Sequence, residues 1–258
     1  MRQMTEAPTK KEPRTSAELN AVITGASSGI GRAIATAIAS TGAAVCLVGR
    51  NSERLESVAR KMRATSRSVL ICESDLSVDS AIEELALRLR QEFKVVDVLV
   101  HCAGTYETGK LASTPVQRLD GLYKMNVRMP VALTQALLPL LRTRSGQIVF
   151  INSSRGLEAR STTGLYSGFY SSTQHALRAL ADSLRQEVNA DGIRVLSVYP
   201  GRTATPRMKA LYELEGWTYQ PELLLQAEDI AEVVVSSLLL PRTAEVTNIE
   251  IRPLAKSY

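Results

Sequence analysis

The sequence predicts a doubly wound α/β protein, a parallel β-sheet with helices on both faces. Three observations carry this. Strand-like and helix-like segments alternate from residue 19 to the end. The strand-like runs are short and almost continuously apolar, as in sheets buried on both faces. Aromatic residues make up only 5% of a chain that is 45% hydrophobic, so small and branched aliphatic side chains build the core.

The elements follow in order. Residues 20–24 (NAVIT) read as a first strand running into a turn, and 29–41 as a helix of small residues. Strands at 43–48 and 68–72 flank an amphipathic helix at 52–63, and a third helix spans 78–92. A strand at 96–100 precedes a long helical stretch, 115–142, in which Pro130 and Pro139 are candidate bends. Residues 147–151 are a fifth strand, 171–189 a strongly amphipathic helix and 193–198 a sixth strand. The series ends with a helix at 228–240 and a strand at 246–251. This alternation predicts right-handed crossovers, with ligands bound beyond the C-terminal ends of the strands.

A chain of 258 residues buries one core without disulfides or metal. No linker-like shift in composition follows residue 20, so 19–258 reads as one domain. Residues 1–18 are polar, contain Pro8 and Pro13, lack the apolar stretch of a signal peptide and read as a disordered tail. Segment 206–226 has no strong periodicity and reads as a mobile lid over a substrate. The net charge of +5 comes from scattered Lys and Arg rather than a basic stripe interleaved with aromatics, which argues against nucleic acid as a partner. No apolar run is long enough to span a membrane. The three cysteines, Cys46, Cys72 and Cys102, have no metal-ligand spacing and predict reduced thiols in a cytoplasmic protein. His101 and His175 are too few for a metal site.

After the first strand the chain reads Thr24-Gly25-Ala26-Ser27-Ser28-Gly29-Ile30-Gly31. Glycines let the backbone turn tightly and approach a pyrophosphate, whose charge then meets a helix N-terminus. The position after a strand and before a helix is the context this motif needs. At the end of the second strand, Arg50 stands where an acidic residue would hold the ribose hydroxyls of NAD. An arginine suits a 2′-phosphate, and therefore NADP(H).

With these motifs the chain resembles the short-chain dehydrogenase/reductase family over roughly residues 20–205. TGASSGIG is similar to the family's cofactor turn, and Asp75 to the acidic residue that meets the adenine, with Leu76 beside it as a further cofactor-binding candidate. His101-Cys102-Ala103-Gly104 sits where the family has Asn-Asn-Ala-Gly. Asn126 matches the asparagine of the catalytic tetrad, and GQIVFINSS the strand ending at the catalytic serine, with Ser153 preferred over Ser154. Pro200-Gly201, with Thr203 and Thr205, matches the loop beside the nicotinamide carboxamide. The resemblance implies a Rossmann-type sheet and hydride transfer between NADP(H) and a small carbonyl or alcohol. A tyrosine would move the proton, a serine hold the substrate oxygen, a lysine lower the tyrosine pKa and an asparagine hold a relay water. It also implies a homodimer or homotetramer paired through the 115–142 and 171–189 helices.

The sequence departs from the family at Tyr-x-x-x-Lys. Counting back from HALRALADSLRQE puts Tyr170 and Gln174 at the tyrosine and lysine positions. Counting forward from Ser153 favours Tyr166, 13 residues on; Tyr170 is 17 residues on, and a four-residue insertion reconciles the two. Tyr170 is taken as the equivalent residue, with Tyr166 as the alternative. Glutamine hydrogen-bonds ribose hydroxyls but carries no charge, so it does not depress a tyrosine pKa. Losing one positioned charge costs on the order of a hundredfold or more in rate. Three readings follow: an NADP(H)-dependent carbonyl reductase or alcohol dehydrogenase with a modified relay; the same fold repurposed for a non-redox step; or a silent binding protein.

Overall fold

The computed structural model describes residues 15–159 and 166–255. Most of the tail expected over 1–18 lies outside the described residues; Ser16–Glu18 form a short 3-10 turn tied by the Ser16 hydroxyl to the Thr41 carbonyl. Seven strands form one parallel sheet: β1 (Asn20–Thr24), β2 (Ala44–Gly49), β3 (Ser68–Glu73), β4 (Val98–His101), β5 (Gln147–Ile151), β6 (Arg194–Pro200) and β7 (Asn248–Ile251). Their order across the sheet is β3-β2-β1-β4-β5-β6-β7. The chain winds outward from β1 to β3 and returns to β4 beside β1, so connections leave in opposite directions at the β1/β4 boundary. A crevice opens there beyond the strand ends.

The described residues form eight α-helices: α1 (Gly29–Ser40), α2 (Ser52–Met62), α3 (Asp79–Glu92), α4 (Gln117–Tyr123), α5 (Met129–Arg142), α6 (Gly168–Val188), α7 (Pro206–Leu214) and α8 (Ala227–Leu238). Side chains alternate across each strand, so each strand feeds two cores. Ala21 and Ile23 of β1 face one core with Ile34 and Ile38 of α1 and Ile230 and Val234 of α8. Val22 faces the other with Leu85 of α3, Leu133 and Leu137 of α5 and Leu177 of α6.

One expectation needs correction. The 115–142 stretch is not one α-helix: residues Lys124–Arg128 form a π-helical turn in which the Met129 N–H bonds the Lys124 carbonyl. Pro130 has no N–H to offer the Asn126 carbonyl four residues back, so a regular α-helical ladder fails there. Pro139, by contrast, lies inside α5 without ending it. The 206–226 segment contains α7, started by Pro206 at its first position and by Thr205, whose hydroxyl accepts from the Met208 N–H at 3.2 Å.

The cysteines are free thiols; Cys46 and Cys72 touch across β2 and β3 at 3.4 Å. Among the described residues no group of His, Cys, Asp or Glu has metal-binding geometry, and no helix is long and apolar enough to cross a membrane.

Candidate active site

A cavity of about 690 Å³ lies beyond the C-terminal ends of the strands. Gly25 and residues 27–31 line it at the start of α1, with Arg50 and Asp75 after β2 and β3, and Asn126, Ser153, Tyr170 and Gln174 beyond them.

The glycine turn is required by geometry. Gly25 and Gly29 have φ of +69° and +51°, where a side chain is strained. A Cβ on Gly31 would lie 2.4 Å from the Gly25 carbonyl oxygen. A Cβ on Gly29 would meet the Thr205 methyl at 3.2 Å, so the turn packs against the loop after β6. Ser28 precedes α1 without capping it through its side chain, which leaves the first amides of the helix to another acceptor. This cradle and its donors fit a pyrophosphate. Ser27, Ser28, Ile30, Leu76, Ala103, Gly104, Pro200, Gly201, Thr203 and Thr205 line the same cavity. Exposed Arg50, with Arg54 one turn into α2, gives its β2 end positive charge. Asp75 accepts from the Ser77 N–H at 3.1 Å; that bond and the nearby Arg50 hold its carboxyl below the usual range.

Thr24 does not line the cavity. Its buried hydroxyl accepts from the Cys102 and Ala103 N–H groups, both at 3.0 Å, and donates to the Val100 carbonyl. It ties the end of β1 to the end of β4 and so sets the floor of the crevice.

At the other end Tyr170 and Ser153 both line the cavity, and the Ser153 hydroxyl acts on the Tyr170 hydroxyl to favour its ionised form. Ser153 is oriented by the Arg155 N–H, which donates to its Oγ at 3.2 Å. Burial raises the Tyr170 pKa; the Ser153 hydroxyl and the guanidinium groups of Arg207 and Arg155 pull against it, and the net shift is upward. Tyr166, the alternative tyrosine, is 51% exposed, lies beside Lys110 and does not line the cavity. The structure thus brings Tyr170 to Ser153 and leaves Tyr166 outside. Residues 160–165, within the stretch between Ser153 and the two tyrosines where the insertion was inferred, lie outside the described residues.

Gln174 follows Tyr170 by one turn of α6, is buried and lines the cavity. Asn126 sits in the π-helical turn. Its Oδ1 accepts from the Thr105 N–H at 2.8 Å, and its Nδ2 donates to the Thr105 carbonyl at 2.9 Å and to Thr173 Oγ1 at 3.1 Å. It therefore pins the loop after β4 to α6. His101 is buried, stacked on Phe150 and bonded to Thr134 at 2.8 Å. Burial lowers its pKa to about 3, so it is neutral at physiological pH. His175 and Arg178 do not line the cavity.

Sequence reading missed Arg155, Arg207 and Tyr106. Arg207 donates to the Gly104 carbonyl at 2.7 Å from the first turn of α7. Tyr106 stands edge-on to Tyr170, ring centres 4.7 Å apart. The one available signal was adjacency: Arg155 follows the Ser153-Ser154 pair, and Arg207 follows Thr205-Pro206.

Comparison with known proteins agrees with this geometry. The short chain dehydrogenase family matches residues 19–216. An uncharacterized oxidoreductase of Staphylococcus epidermidis is 33% identical over 235 residues, covering 91% of this chain and 96% of that one. An alcohol dehydrogenase of Thermococcus sibiricus, solved with 5-hydroxy-NADP, superposes with a TM-score of 0.80 at 29% identity, over 93% of this chain and 99% of the other. L-sorbose reductase of Gluconobacter frateurii, solved with NADPH and L-sorbose, gives 0.82 at 27% identity, over 90% and 94%. By fold, by cofactor cradle and by sequence, the chain belongs to the short-chain dehydrogenase family of oxidoreductases.

Proposed function

We propose that the protein is an NADP(H)-dependent oxidoreductase that interconverts a small carbonyl and an alcohol. One observation carries the reading: the Tyr170–Ser153 hydroxyl pair lies in the same cavity as the Gly25–Gly31 cradle. The cofactor, when bound, supplies or accepts the hydride. Arg50, with Arg54, holds the 2′-phosphate; the NADP and NADPH of the two superposed structures support this choice. Ser153 fixes the substrate oxygen, and Tyr170 gives it a proton in reduction or takes one in oxidation. Asn126 is a positioning residue, because its amide is spent on Thr105 and Thr173.

Gln174 gives the site its particular character. A neutral amide at the lysine position holds ribose hydroxyls but does not offset the burial of Tyr170. The tyrosine therefore stays protonated through neutral pH, which favours carbonyl reduction over alcohol oxidation. The same residue favours the second reading, a site repurposed for a non-redox step. NADPH consumption with a panel of small ketones and aldehydes separates them. The redox reading requires carbonyl-dependent NADPH loss, with alcohol oxidation at alkaline pH increased about tenfold in Gln174→Lys. NADPH binding with no consumption in either form supports repurposing.

A further inference from the structure

The wall of the same cavity also holds residues that belong to none of the cofactor motifs. Tyr106, Met208 and Leu211 give it apolar surface, and Arg155 and Arg207 give it positive charge. Among the described lining residues the one carboxylate is Asp75, after β3 at the far end. The two guanidinium groups come from separate elements. Arg155 lies in the 3-10 turn after β5, and Arg207 in the first turn of α7. Arg207 bonds the neutral Gly104 carbonyl at 2.7 Å, an acceptor that orients the guanidinium without cancelling its charge. Both arginines act electrostatically on the Tyr170 hydroxyl, and Arg155 acts also on Tyr106, packed against it. Positive charge from both arginines therefore acts at the Tyr170 hydroxyl.

We propose that the substrate carries a carboxylate besides its carbonyl or hydroxyl: a short oxo acid or hydroxy acid, anchored by Arg207, with its carbon chain along Tyr106, Met208 and Leu211. The proposal rests on Tyr170 and Ser153 as the reacting pair. Arg155 has other partners within the fold, so it is assigned supporting charge and Arg207 the direct contact. A guanidinium offers a carboxylate two parallel N–H donors, which fixes distance and orientation together. A carboxylate gains a charge-assisted pair from such a partner, whereas an ester of the same shape does not.

The test is calorimetric titration of the NADP⁺-loaded protein with 2-oxobutanoate, acetoacetate and levulinate, each beside its methyl ester. The proposal requires at least one acid to bind about tenfold to a hundredfold tighter than its ester. In Arg207→Met that preference disappears and NADP⁺ affinity is unchanged, while Arg207→Lys keeps part of it. Thermal melts of both variants show that the fold is intact. Equal binding of acids and esters, or no binding of any acid, overturns the proposal. Weaker NADP⁺ binding in Arg207→Met assigns the arginine to a cofactor phosphate and overturns it as well. The reaction itself is read separately: NADPH-dependent reduction of neutral carbonyls without an acid preference removes this proposal and leaves the reaction, whereas selective acid binding without NADPH consumption does the reverse.

Discussion

The two ends of the cavity are built on different principles. At the cradle end the specification is in the backbone: positive φ at Gly25 and Gly29, no room for a Cβ at Gly31, and a helix start left uncapped by Ser28. At the reacting end the specification is in side chains brought from β5, the π-helical turn, α6 and α7. Backbone requirements tolerate few residue types, so they mark the sequence. Side-chain constellations tolerate substitution, and under the proposed reading Gln174 stands in the place of the family's lysine. The cradle end therefore speaks for the cofactor, and the reacting end for what sets this protein apart.

The sharpest break between the ends comes from Tyr170→Phe. Removing the hydroxyl should lower carbonyl-dependent NADPH consumption by about a hundredfold to ten-thousandfold and leave NADPH affinity within a factor of about two. Tyr166→Phe should change neither by more than a few-fold, since its ring lies outside the cavity. Steady-state kinetics beside calorimetry checks both; equal losses in the two variants would reverse the tyrosine assignment.

The converse break is Gly31→Ala. Its Cβ would be driven into the Gly25 carbonyl at 2.4 Å, and because the obstacle is backbone the turn must shift. NADPH affinity should fall on the order of a hundredfold, with a loss of stability of about 1–3 kcal/mol from the forced movement. Urea melts and NADPH titration measure the two effects; wild-type affinity in this variant would mean that the turn does not hold the pyrophosphate.

Gln174→Lys sharpens the comparison through pH. Tyr170 is held above the ordinary tyrosine pKa by burial. Reduction needs the protonated hydroxyl, so its rate should stay level through neutral pH and fall only in the alkaline range. A lysine at 174 adds a positive charge that stabilises the phenolate and lowers that pKa. The fall in reduction should move to lower pH, and alcohol oxidation should gain at pH 8–9 by about tenfold. Superimposable pH profiles for the two forms would show that position 174 does not act on Tyr170.

The smallest effect lies in the wall between the ends. His101 is neutral in the fold, its pKa about 3 against an ordinary 6.5. The unfolded chain takes up the proton first, so protonation favours unfolding. The stability tied to neutral His101 is intact above about pH 6.5 and is lost as pH falls toward 3. Its slope reaches at most about 1.4 kcal/mol per pH unit. In His101→Asn this slope should vanish, and denaturant melts from pH 7.5 to 4.5 should show a shallower loss than wild type. Parallel curves would contradict the burial account.

How much the sequence revealed follows the same division. The sheet was legible from continuous apolar runs and the cradle from its glycines, because both are constraints on residue type. Tyr170 was legible only through the register of the helix behind it, since two tyrosines four residues apart satisfy the same pattern. The π-helical turn at Lys124–Arg128 was hidden because an apolar period does not distinguish an α turn from a π turn, although Pro130 marked the place. The α7 helix was announced by Thr205-Pro206, an N-cap followed by a first-turn proline, but its nine residues have little amphipathic contrast. Arg155 and Arg207 had no pattern at all; an arginine in a loop or first turn gains meaning only when the fold places it beside a reacting hydroxyl.

The central claim, that the cavity is a site for NADP(H), is tested most directly by calorimetric titration of the purified protein with NADPH and with NADH. The account predicts micromolar NADPH binding, with NADH weaker by about tenfold to a hundredfold, and an Arg50→Ala variant in which that difference disappears. Binding of neither nucleotide, or equal binding of both by the unaltered protein, would contradict it.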